Sequence, residues 1–319
     1  MSDPPTLVLI PGSWHQPTCY NKITKLLEEQ HHLKCVSITL PSTTGDPNAT
    51  FKDDLDAARS AITAETTAGR NVVVIAHSYG GMVGNSAIKN LTQRPPPGNK
   101  TGHVTGLILI ASGFTLTGLT FMAPFLNRPP PTWRANTHTG FADLTVPPST
   151  LFYHDLPATE AAHWASQLRP QSLRSLFEGG EHAYAGWRDL GPRGVWYVGT
   201  ALDRGLPVVV QRMQVGAARA MGVRVEHREL RASHSPFLSR PEETVAVVVE
   251  AVEVFMGRAV PGSSVVGGGS GGKGEVVVPR VGLWEPGTWF RFGVPLVLGH
   301  VVGKCVLVFY WGRRLWTGR

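Results

Sequence analysis

Cysteine is scarce in this chain: three in 319 residues, at Cys19, Cys35 and Cys305. An odd, widely spaced set excludes a disulfide framework and suits a reducing compartment. No HExxH or CxxC occurs, and His31-His32 and Glu181-His182 are pairs without metal-site spacing. The Gly-rich stretch at 267–272 lacks the GK[ST] ending of a phosphate loop. The expectation is therefore no cofactor and no metal. Charge is also sparse, at 17% of residues against 42% hydrophobic, which excludes a disordered chain and a typical polytopic membrane protein. The opening MSDPPTLVLIPG has no basic region and meets a proline after four apolar residues, unlike a secretory signal. A cytoplasmic location is expected.

The net charge of +7 is unevenly placed. Residues 259–319 hold seven Lys/Arg and two Asp/Glu, whereas 1–258 hold 23 and 21. The larger part has no basic stripe, so no nucleic-acid partner is expected.

Apolar runs alternate with helical patterns. LVLI (7–10), CVSITL (35–40), VVVIA (72–76) and VTGLILIA (104–111) read as strands, with helices around 20–30, 51–68 and after Ser78. The alternation resumes with VWYVGT (195–200), a helix near 207–221, VRVEHREL (223–230) and a helix near 241–257. This pattern predicts an α/β fold with a mostly parallel sheet and helices on both faces. Between 113 and 190 it breaks into a proline- and aromatic-rich stretch with helical segments near 157–168 and 170–178. An inserted helical lid is expected there, within one domain spanning 6–258. Residues 259–319 are expected to be a Gly/Ser-rich linker (261–275) and an apolar, basic tail. Within the tail, 294–311 reaches membrane-spanning length but contains His300 and Lys304. Membrane-surface contact through residues 289–319, an added strand or helix on the domain, and a functionless extension all stay open.

VVVIAHSYGGM (72–82) carries the chemistry. A β-branched strand gives way within a few residues to a helix, and Ser78 sits in the turn. The G-x-S-x-G nucleophile elbow needs small residues at its ends; here Ala76 and Gly80 stand there, with Gly81 as further room. A serine hydroxyl needs a base, and the base needs an orienting carboxylate. TALDRGLP places Asp203 after one later strand, and RASHSPF places His234 after the next. Both are thereby expected at the sheet edge that carries Ser78. The oxyanion donors are expected to be the backbone N–H groups of Tyr79 and Ser13, with Trp14 as fallback in the Pro11-Gly12 loop. His15 reads as a structural loop residue rather than a second base.

The set VLIPGSWHQP, VVVIAHSYGG, WYVGTALDRGLP and SHSPFLSRPEE resembles the α/β-hydrolase superfamily. Within it the chain is most similar to the branch of plant methylesterases and hydroxynitrile lyases, with their bacterial and fungal esterase-like relatives. The likeness covers roughly 6–257 and leaves the tail without a counterpart. It implies Ser78 as nucleophile, Asp203 as acid and His234 as base. The lyases of this branch use a lysine soon after the catalytic histidine and a threonine in the first loop. Here Ser235-Pro236 and Gly12-Ser13 stand there, which favours ester hydrolysis. The expected partner is a small to medium apolar ester, lactone or thioester, with Phe121, Met122, Phe125, Trp133, Trp164 and Trp14 as candidate substrate contacts. A ligand-binding protein without turnover and a C–C lyase or acyl transferase remain the alternatives.

Overall fold

The structure, a computed structural model, describes residues 3–260, 276–282 and 284–317. The glycine-rich stretch 261–275, expected to be a linker, lies outside the described residues. The first half of the fold runs β1 (Thr6–Ile10), α1 (Asn21–His31), β2 (Cys35–Ser37), α2 (Phe51–Thr67), β3 (Val72–His77), α3 (Gly80–Ala87) and β4 (Val104–Ile110). The insertion follows, with β5 (Trp133–Asn136), β6 (Phe141–Leu144), α4 (Pro148–Leu151), α5 (Ala158–Ser166), β7 (Gln171–Ser172) and α6 (Leu173–Phe177). The second half adds β8 (Val195–Thr200), α7 (Val208–Ala220), β9 (Val225–Leu230), α8 (Pro236–Ser239) and α9 (Pro241–Phe255). The tail contributes β10 (Val276–Val277), α10 (Pro286–Thr288) and α11 (Val294–Thr317).

Seven strands form one sheet in the order β10-β9-β8-β4-β3-β1-β2, parallel throughout except for β10. Successive side chains of β3 point to opposite faces, and each face is covered, so the strand is apolar along its length. Val72, Val74 and Ala76 enter the core shared with α2, α3 and the lid. Val73 and Ile75 enter the core shared with α1 and α9. The β3 position matters most, because β1 and β4 flank it where the connections diverge to opposite sides. Crevices at such switch points, outside the carboxyl ends of the strands, are where sites form in open α/β sheets.

One expectation needs correction, and one of the alternatives left open for the tail is observed. The insertion is not purely helical: β5, β6 and β7 make a small antiparallel sheet, and the segment expected as a helix at 170–178 begins with β7 before turning into α6. Gln171 explains the difference, because its side chain is buried and bonded to Ser42 and Ser175, holding the backbone extended. The tail adds both a strand and a helix to the domain. β10 pairs antiparallel with β9 and covers part of that edge, while α11 packs along α7.

Candidate active site

Ser78 stands between β3 and α3 with a left-handed φ of 51°. That conformation is costly for a residue with a side chain, so the turn must be held from several sides. Ser78 N–H donates to Ile110 O at 3.1 Å, and the Ser112 hydroxyl donates to Ser78 O at 2.6 Å. The two glycines that follow are there for contact. A Cβ on Gly80 would strike the carbonyl of Pro11, and one on Gly81 would strike the Ser112 hydroxyl. Strand, helix and first loop thus close around the serine only because residues 80 and 81 lack side chains.

Asp203 and His234 arrive from β8 and β9, the strands whose carboxyl ends lie beyond β4 on the same edge. His234 is 4% exposed, and its Nδ1 lies 2.8 Å from Asp203 Oδ2. A carboxylate only accepts, so Nδ1 carries the proton and Nε2 keeps the lone pair. Asp203 is itself held on every side. Its Oδ1 accepts from the N–H groups of Gly205 (2.7 Å) and Leu206 (2.8 Å). Its Oδ2 accepts from the Thr200 hydroxyl (2.7 Å) and Gln211 Nε2 (3.0 Å). Gln211, on α7, also donates to the carbonyls of Thr200 and Leu206. Neither Thr200 nor Gln211 was expected from the sequence; only a hydroxyl three residues before Asp203 hinted at the first.

The loop after β1 meets the serine directly. The Cβ position of Gly12 lies 2.9 Å from both Ser78 Cβ and His77 Nδ1. Ser13 follows, and among the described residues neither its N–H nor that of Tyr79 donates to another protein group. Tyr79 immediately precedes α3, whose first-turn N–H groups have no partner within the helix. The fallback donor Trp14 is otherwise engaged: its N–H points to Gln171 Oε1 at 3.3 Å, with φ at 62°.

His77 joins Ser78 to His234. Its Nε2 donates to His234 O at 2.9 Å, and the two rings are 4.6 Å apart. No hydrogen bond joins Ser78 Oγ to His234 Nε2 among the described residues; such bonds are often long in ligand-free sites. His15 is structural, as expected. Its Nδ1 donates to Ser13 O (2.8 Å) and its Nε2 accepts from the Tyr153 hydroxyl (2.9 Å). Burial first, then the charge it would share with His234, lower its pKa to about 4 against the pull of the Ser13 bond. Burial and the neighbouring His234 also push His77 well below the ordinary histidine value. Both rings are therefore neutral near pH 7.

The aromatic candidates divide. Trp14 packs tilted against Phe152 at 6.0 Å, and Phe152 lies 5.4 Å from the His234 ring, so Phe152 walls that imidazole with Trp14 behind it. Phe121 packs on the Tyr79 ring at 5.3 Å, and Trp133 reaches the site only through Trp14 at 6.3 Å. Met122 is buried in the core, and Phe125 is largely exposed beyond Phe121. Trp164 bonds to Glu160 and packs on His163 of its own helix, against the core on the α1 and α9 side. Phe152, whose ring lies against His234, was not among the candidate contacts read from the sequence. Among the described residues no group of three or more His, Cys, Asp or Glu is arranged to hold a metal ion.

Comparison with known proteins bears on the family and the fold. A model described as the alpha/beta hydrolase family matches residues 7–247. An alpha/beta hydrolase of Aspergillus novofumigatus, nvfD, is 27% identical over 262 residues, covering 78% of this chain and 99% of the relative. Among solved structures, polyneuridine aldehyde esterase superposes with a TM-score of 0.61 at 17% identity, over 78% of this chain and 99% of that one. A pyrethroid hydrolase from Sphingobium faniae superposes with a TM-score of 0.58 at 19% identity, over 78% and 97%. At such identities the superpositions speak for the fold.

Proposed function

Since this chain belongs to the α/β hydrolase family, we propose that it is a serine hydrolase that cleaves carboxylic esters through an acyl-enzyme. Ser78 Oγ adds to the ester carbonyl while its proton passes to His234 Nε2. The oxyanion that forms accepts from the N–H groups of Ser13 and Tyr79. Collapse breaks the C–O bond, and the leaving alkoxide takes the proton from His234. Water then adds to the acyl carbon and gives its proton to the same nitrogen; collapse breaks the acyl bond to Ser78 Oγ, which takes that proton back as the acid leaves. Asp203 stays ionised throughout and stabilises the imidazolium. The observation that carries this reading is the His234–Asp203 bond of 2.8 Å, at the same sheet edge as a serine held at φ 51°, with β4 between.

The substrate is a small to medium ester, lactone or thioester with an apolar group. The ring of Phe152 against His234, with Trp14 behind it and Phe121 beside Tyr79, supports that class. The residue after the histidine, Ser235, has a buried hydroxyl without a hydrogen-bond partner among the described residues and no charge to offer a cyanide leaving group. That supports hydrolysis over cyanohydrin cleavage. Steady-state hydrolysis of p-nitrophenyl acetate, butyrate and octanoate tests the reading. Turnover of the short esters that Ser78→Ala abolishes is expected; turnover unchanged in that variant, or none with any ester by folded protein, overturns it.

A further inference from the structure

The tail presents a surface that the hydrolase site does not use. α11 spans 24 residues, about 36 Å at the rise of an α-helix. One side of it is seated on α7 at backbone distance. Cβ atoms on Gly216 of α7, and on Gly299 and Gly303 of α11, would strike the facing carbonyls of Leu296, Met213 and Ala217. Leu296, Val306 and Leu307 complete that seat against the core. The Tyr310 hydroxyl donates to Thr117 O at 2.8 Å, fastening the far end of the helix to the start of the lid.

The opposite side is apolar and open. Val294, Val297, Leu298, Val301, Val308 and Phe309 are all exposed. At 100° per residue they fall within an arc of about 120° that contains no charged residue. His300 and Lys304 lie together on one flank of that arc, where a long side chain can reach water past an apolar boundary. Aromatic rings mark both ends: Trp284 is 93% exposed and Phe290 78% before the helix, and Trp311 is 65% exposed near its close. Arg291 is exposed beside Phe290, and the tail as a whole is basic.

We propose that α11 binds an anionic lipid surface, lying in its plane with the Val301 face in the acyl boundary and the domain on the water side. An apolar arc, interfacial aromatics and flanking basic residues are the features that seat a helix in a headgroup layer. The glycines that would let helices dimerise already face α7, which leaves a broad aliphatic face suited to lipid rather than to a second copy. Docking on α7 and the tie to Thr117 hold the helix against the domain, so it lies on the bilayer instead of crossing it.

The test is co-sedimentation of the full chain with vesicles of phosphatidylcholine alone and of equal phosphatidylcholine and phosphatidylserine. The parent is expected to pellet with the mixed vesicles. Val301→Glu with Val308→Glu, which leaves the α7 seat untouched, is expected to lower partitioning about tenfold or more. A second pair, Arg291→Ala with Lys304→Ala, removes two cations outside the apolar arc and is expected to lose about tenfold on mixed vesicles and little on neutral ones. Unchanged circular dichroism identifies variants that have folded. A parent that stays in the supernatant, or folded variants that pellet as it does, overturns the proposal. So does a dimer in light scattering that the Val301→Glu pair dissolves while the parent ignores vesicles.

Discussion

Five hydrogen bonds converge on the carboxylate of Asp203, from two backbone N–H groups, Thr200, Gln211 and His234. Four of them come from groups other than the imidazole, so they fix the carboxylate independently of His234. Asp203→Asn puts an amide nitrogen where one accepting oxygen was, and the imidazole is then drawn to the wrong tautomer. We expect kcat for ester hydrolysis to fall about 10⁴-fold with KM little changed; a fall confined to KM would contradict the assigned role. At Gly81 the claim is steric. Gly81→Val would drive a side chain into Ser112, the residue whose hydroxyl holds Ser78 O. Loss of ester turnover should accompany a drop in thermal midpoint, and wild-type activity in that variant would remove the contact from the account. The placement of Ser78, Asp203 and His234 at one sheet edge was legible because a chain-order rule links a tight turn to the loops after later strands. Gln211 and Phe152 were not, because nothing in a helix interior or an aromatic-rich insertion reveals which side chain turns toward a distant loop.

At the scale of elements, α7 has two employments. Its Gln211 orients Asp203, while Arg212 makes a paired bond to Glu229 of β9 at 2.7 and 2.8 Å and donates to Arg291 O of the tail at 2.8 Å. The Phe292 ring sits under the same guanidinium at 4.7 Å, so the tail covers a buried ion pair. Breaking such a cover costs more than the contacts it removes, because charges once shielded must be hydrated anew or left unpaired. Gly299→Leu, which forces α11 away from the Met213 carbonyl, is expected to destabilise the fold by about 1–3 kcal/mol. Chemical denaturation with circular dichroism measures it, and an unchanged midpoint would mean that α11 is not seated on α7 as described. The alternation of strand and helix over 1–258 was plain from periodicity. β7 and the mixed lid were not, since a two-residue strand leaves no period to read and Gln171 is held extended only by partners far away in sequence.

On the scale of the whole molecule, buried titratable groups set the response to acid. His15 is neutral when folded, with its pKa lowered from 6.5 to about 4 by burial. Its contribution is fully present above about pH 6.5 and is lost as pH falls toward 4, about 3 kcal/mol across the whole window. His77 and His227 are lowered in the same sense, chiefly by burial, with His234 beside the first and Arg219, Arg212 and Arg228 around the second. Asp54 opposes them. Burial raises its carboxyl from 3.8 to about 6, so the folded state gains relative stability as pH drops through that range. Three histidines outweigh one carboxylate, and the thermal midpoint should fall between about pH 7 and about pH 5; a flat or rising midpoint would show that those rings are charged in the fold. The tail extends the same molecule beyond the matched family region, and its packing on α7 could not be anticipated where an apolar run suited membrane and core equally. The central claim, however, is an activated serine, and labelling with a fluorophosphonate probe followed by mapping of the modified residue tests it most directly. Modification at Ser78 in the parent, lost in Ser78→Ala and strongly reduced in Asp203→Asn and His234→Ala, is the expected result. Folded parent protein that resists the probe, or that is modified at another residue, would contradict the account.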